Sequence, residues 1–227
     1  MTSAPSLDVV SVVIGTKHTL PAAAVVLLGF AALVAVTVQE IWELTRHANT
    51  ITHEAAHAAF GSLIGRKIQG MLLKRNGDGA TAVTTGGAAG TVLIGFVGYL
   101  GPSLFGLGAA KLISTGQAVA VLWLGLLLLV CVLFVLRNAF GFVSVLINGL
   151  LLFVIARYGS AGTQTAAAYG TTWFLLLAGV RQVIDHGVRA SDADVLAKIT
   201  HIGKGFWVWL WLAGTIYALA VGGGLMV

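Results

Sequence analysis

The sequence predicts an all-α polytopic membrane protein with about six to seven transmembrane helices and a short cytoplasmic β-hairpin. Three observations carry that reading. Of 227 residues, 58% are hydrophobic and only 9% are charged, where a soluble domain carries roughly 25%. The mean hydropathy is +0.95. Apolar runs also recur at the ~20-residue length that a helix rising 1.5 Å per residue needs to cross a hydrocarbon core about 30 Å thick.

The spans are expected at about 20–43, 47–65, 87–109, 118–136, 139–156, 163–184 and 206–226. Glu40 and Trp42 follow the first span where a small-residue cleavage site would be expected, so it reads as a retained anchor and not a signal peptide. The second is rich in small residues, among them Ala55, Ala56, Ala58, Ala59 and Gly61, which let helices approach closely. Residues 66–85 are too polar to span and read as strands at about 68–74 and 80–85 around Asn76-Gly77-Asp78-Gly79, a hairpin-turn signal. Gly101-Pro102 predicts a break or kink in the third span, because proline removes a helical hydrogen bond. In the polar segment 185–204, Ser191-Asp192-Ala193-Asp194 predicts a helix start, with Ser191 as N-cap and Asp194 at N3. Trp207, Trp209 and Trp211 suit interfacial anchoring of the last span. No repeat or low-complexity tail interrupts the pattern, so residues 1–227 read as a single integral membrane domain.

A net charge of +5 and a pI near 9.7 do not indicate nucleic acid, because the basic residues are scattered singly at span ends and form no stripe. With seven crossings, every Lys and Arg except Arg46, Lys111 and Arg157 falls on one side. The positive-inside bias makes that side cytoplasmic, with the amino terminus inside the cell membrane and the carboxyl terminus outside. The lone Cys131 excludes an internal disulfide and a Cys-rich metal site.

Of eight acidic residues, Glu54 lies well inside an expected span, where a carboxyl costs several kcal/mol unless it is paired, neutralised or useful. Its neighbours define the use. Thr52-His53-Glu54-Ala55-Ala56-His57 contains H-E-x-x-H, and the four-residue step puts both imidazoles on one helical face where they can grip one Zn²⁺. Glu54, offset by about 100°, can reach a metal-bound water as general base without being a ligand. His57 precedes Gly65 by eight residues, which at 1.5 Å per residue puts the metal roughly 12 Å below the cytoplasmic surface. The bland reading makes the histidines interhelical hydrogen-bonding groups and Glu54 a paired carboxyl in a transport path. A catalytic zinc also requires a third protein ligand from elsewhere in the chain. Asn148, mid-span, is a candidate for holding substrate backbone, with interhelical hydrogen bonding as its structural alternative.

THEAAHAAFG at 52–61, GRKIQGMLL with the Gly-rich strand after it, GYLGPSLFG at 98–106 and SDADVLAKIT at 191–200 together resemble the site-2 type of intramembrane zinc metallopeptidases, in their M50B-like branch. The resemblance implies a helical membrane core that holds one zinc by two His and one Asp and hydrolyses peptide bonds of membrane-embedded protein substrates within the lipid bilayer. The chain lacks the full N-x-x-P-x-x-P-L-D-G signature and any PDZ domain of the better-known members, which leaves the third ligand between two residues. Asp192 belongs to the S-D-A segment; Asp185, in Ile184-Asp185-His186-Gly187, loosely resembles L-D-G. The rival from another class is a non-enzymatic zinc-binding membrane transporter or scaffold, which needs the histidines but not Glu54 as a base.

Overall fold

The computed structural model describes residues 19–186 and 192–227. These form eight helices and one two-stranded sheet: α1 (Ala22–Thr37), α2 (Gln39–Leu63), β1 (Ile68–Leu73), β2 (Gly79–Val83), α3 (Ala88–Ser114), α4 (Ala118–Val135), α5 (Ala139–Tyr158), α6 (Ala161–His186), α7 (Asp192–Thr200) and α8 (Lys204–Met226). Four helices, α3, α4, α5 and α8, are long and apolar enough to cross a membrane, and the bent pair α1–α2 makes a fifth if taken as one span. The protein is therefore a multi-pass helical membrane protein; among the described residues four or five helices meet the length and composition of a span, so the expected count of six to seven is not confirmed. At 1.5 Å per residue the 16 residues of α1 reach about 24 Å, short of a 30 Å core. Helix α6 is long but carries Gln164, Arg181, Gln182 and Asp185.

The first two expected spans meet at a 100° bend. Val38 there is extended, while the Thr37 hydroxyl donates to Leu33 O at 2.7 Å, a local side-chain bond that competes with helix continuation. Helix α2 restarts with Glu40 in its first turn, where a negative charge complements the helix dipole. Both ends of α2 then lie at one end of the bundle. Trp42 donates to Asp185 near the end of α6, and Arg66, just past α2, donates to Gly87 O before the start of α3. Position along α2 is thus not depth, and the 12 Å figure for an upright helix does not apply.

The hairpin forms close to where it was expected, antiparallel from Ile68↔Val83 to Leu73↔Gly79, with a bulge between Ile68 and Gly70. Gly77 takes φ +82° in the turn, a conformation that suits glycine. The outer edge of β1 is covered: Arg137 N–H donates to Met71 O at 2.9 Å, and the Asn138 amide binds both the N–H and C=O of Leu73. The hairpin folds back along α2, where Thr50 donates to Gly77 O at 2.6 Å and the Arg46 side chain lies against Gly77. Arg46 therefore sits with the hairpin and not on the opposite side as the seven-crossing scheme had it.

Helix α3 packs against α2, α6, α7 and α8 and runs unbroken past Pro102, so of the break or kink expected at Gly101-Pro102 the break does not occur. Beyond it, Val25, Ile113, Ala118, Ala156 and Met226 share one buried cluster, with Leu20 packed against it. Residues 20 and 226 hence emerge at the same end of the bundle, away from the hairpin. The bent α1–α2 pair counts as one candidate span where the sequence led us to expect two.

Candidate metal centre

Helix α2 buries Asn49, Thr50, His53, Glu54 and His57 on its inner face. The i, i+4 step brings the His53 and His57 rings to 4.6 Å, nearly perpendicular, with their Nε2 atoms 3.0 Å apart. His57 Nδ1 lies 2.9 Å from Ile94 O. A carbonyl only accepts, so Nδ1 carries the proton and Nε2 is left bare. The ring comes this close to α3 because Gly98 has no side chain; a Cβ there would overlap the imidazole. His53 is held at Nδ1 by the Gln182 amide at 2.9 Å and on its face by Tyr99, 4.8 Å away edge-on and itself stacked on Trp211 at 4.3 Å.

Asp192, the first residue of α7, completes the group. Its Oδ2 lies 3.2 Å from His57 Nε2 and 3.6 Å from His53 Nε2. Ala193 and Leu196, both fully buried against Tyr99, Val183 and Trp211, pin α7 in place. Burial works against the charge on Asp192, but the two imidazoles facing its Oδ2, each of which donates to it when protonated at Nε2, outweigh burial and hold the carboxyl well below the usual carboxylate range. The helix N-terminus acts in the same direction.

The other candidates lie elsewhere. Asp185 accepts from Trp42 Nε1 at 3.1 Å and pairs with Arg181 at 2.9 Å, and among the described residues the clustered donors are His53, His57 and Asp192. Asp194 pairs with Lys204 at 3.1 Å, while the expected N-cap Ser191 lies outside the described residues. Asn148 donates to Ser144 O of its own helix and lines a separate, largely apolar cavity of about 950 Å³.

Glu54 is 3% exposed. Its Oε2 accepts from the Thr81 hydroxyl of β2 at 2.6 Å, and Gly79 passes so close that a Cβ would stand 2.5 Å from Oε1. Glu54, both histidines, Asp192, Gln182, Thr81 and Arg66 line one cleft of about 630 Å³.

The three donor atoms form a triangle with sides of 3.0, 3.2 and 3.6 Å. Ligands 2.0–2.1 Å from a tetrahedral zinc lie roughly 3.3 Å apart. Two imidazoles and one carboxylate at this spacing therefore fit a single such ion, with a fourth position left over. The Peptidase M50B-like family matches residues 26–222, which takes in all three donors and Glu54. The chain belongs to this family. No curated protein and no solved structure matches it. Membership makes the chain a membrane peptidase of the M50 type, a group that is typically metal-dependent.

Three neighbours of this M50B-like site escaped the sequence reading: Gln182, Thr81 and Tyr99. Gln182 carried a usable signal as a polar side chain inside an expected span. Tyr99 lay within the GYLGPSLFG segment at 98–106 but was not singled out there, and Thr81 carried no signal of its own, since a threonine in a strand is ordinary.

Proposed function

We propose that the protein is an intramembrane zinc metallopeptidase that cleaves membrane-embedded protein substrates, with His53, His57 and Asp192 as metal ligands and Glu54 as general base. The donor triangle beside a buried carboxylate carries the reading. Zinc, when bound there, supplies a Lewis acid that lowers the pKa of a coordinated water toward 7 and polarises a carbonyl. The chain supplies the rest. Thr81 holds Glu54 Oε2, so Oε1 is the oxygen left to take a proton from the attacking water and return it to the leaving amine. The narrow passage at Gly79 and the burial of Glu54 restrict water around that oxygen.

A helical substrate hides its peptide bonds and, at about 10–12 Å across, must unwind locally to bring one to Glu54. The sheet has two strands among the described residues, and β1 has its outer edge covered by Arg137 and Asn138. That leaves β2, which carries Thr81 onto Glu54, as the edge on which an extended substrate strand adds.

Purified protein should contain about one Zn²⁺ per chain, lost from a His53→Ala, His57→Ala double variant. Glu54→Gln should keep the metal and stop cleavage of a membrane-embedded substrate in proteoliposomes. Equal zinc in the wild type and the double variant overturns the metal site; undiminished cleavage by Glu54→Gln overturns the general base.

A further inference from the structure

The site continues outward from His53 through a buried chain of side chains that the peptidase reading does not use. Asn49 Nδ2 donates to Gln182 Oε1 at 2.8 Å, and Gln182 Nε2 lies 2.9 Å from His53 Nδ1. Both amides are buried, at 2% and 5% exposure. As the chain stands, the direction is consistent from end to end. The Gln182 NH₂ can only donate, so His53 Nδ1 accepts and Nε2 carries the proton. That proton faces His57 Nε2 at 3.0 Å, which is bare because His57 Nδ1 donates to Ile94 O. A metal needs the opposite tautomer of His53, with Nε2 bare and the proton on Nδ1.

We infer that Gln182 is the positioning residue for His53, and that its amide turns over on metal loading so that Oε1 accepts the Nδ1 proton. Turning Gln182 directs its NH₂ toward Asn49. Asn49 has the acceptor this requires, because its Oδ1 is buried without a partner in the present arrangement. If Asn49 turns in step, both the Asn49–Gln182 and the Gln182–His53 hydrogen bonds are kept. An apolar residue or a fixed donor at 182 could not serve both states. Two adjustable amides in series can.

The inference rests on the zinc reading, and the test separates the two. Zinc affinity is measured by chelator competition on purified wild-type, Gln182→Leu and Gln182→Glu proteins, with the thermal midpoint of each metal-free protein as a check on folding. Outer-shell partners of a metal-bound His typically contribute 10- to 100-fold in affinity. Gln182→Leu should therefore bind zinc 10- to 100-fold more weakly, whereas Gln182→Glu, whose carboxylate accepts from Nδ1, should bind at least as tightly as the wild type. A purely space-filling role predicts the reverse order, because an unpaired carboxylate at a buried position is worse tolerated than leucine. Wild-type affinity in Gln182→Leu, or equal weakening in both variants, overturns the inference while leaving the metal site standing. If Gln182→Leu does not fold, Gln182→Glu alone decides: weakened zinc binding overturns the inference. A wild type that binds no zinc overturns the metal site and this inference together.

Discussion

Asp185 and Asp192 share a residue type but not a setting. Asp185 is occupied on both sides, by the Trp42 indole and the Arg181 guanidinium, and ties the end of α6 to the start of α2. Asp192 points one oxygen at two imidazole nitrogens. Asp192→Asn should therefore remove most bound zinc and stop proteolysis. Asp185→Asn should keep the metal and cost about 1 kcal/mol or less, the range of a partly exposed ion pair. Metal analysis and thermal unfolding of the two variants check this, and zinc lost from Asp185→Asn but retained by Asp192→Asn would reverse the assignment. At this scale the sequence was informative where chemistry is local. H-E-x-x-H names its own geometry because the helical repeat fixes it. The partner of His53 lies on α6, far along the chain, and no local spacing could connect Gln182 to it.

At the scale of elements, the site depends on how closely α2 and α3 approach. His57 occupies the space that a side chain on Gly98 would need, and the same contact lets its Nδ1 reach Ile94 O. Gly98→Ala should push the ring off that carbonyl and weaken zinc binding, with a loss of peptidase rate of roughly 100-fold for a displacement near 1 Å. Gly108→Ala is the control: it lies in the same helix with open space around it, so it should be neutral or stabilise by up to ~1 kcal/mol through helix propensity. Equal zinc affinity in the two variants would show that the α2–α3 contact does not set the site. The hairpin was readable because Asn-Gly-Asp-Gly has few other uses between apolar strands. The 100° bend was not. Neither Gly nor Pro stands at the corner, and the polar Gln39 and Glu40 found there read equally well as the approach to the end of a straight span.

For the whole molecule, the bend changes the count of candidate spans and with it where residue 20 lies relative to residue 226. The hairpin, the α4–α5 turn at Arg137 and Asn138, and α7 gather at one end of the bundle; Ser114, residue 20 and Met226 gather at the other. The hairpin end carries Arg66, Lys67, Lys74, Arg75, Arg137, Lys198 and Lys204, against Lys111 and Arg157 at the other. The orientation that the positive-inside bias favours is thus a cytoplasmic hairpin and site, with residues 20 and 226 both outside. Moving Arg46 to the hairpin end strengthens the same bias. Single cysteines in a Cys131→Ser background test the arrangement, since Cys131 is exposed and would otherwise react. Ser62 and Ser114 are both exposed, at the ends of α2 and α3, and Ser→Cys changes little but the chemistry of one atom. Ser62→Cys should resist a membrane-impermeant maleimide added to intact cells and react once the cells are opened. Ser114→Cys should react in intact cells. The reverse pattern would turn the protein over in the membrane and put the zinc site on the outer face, and labelling of both from outside would mean that α3 does not cross.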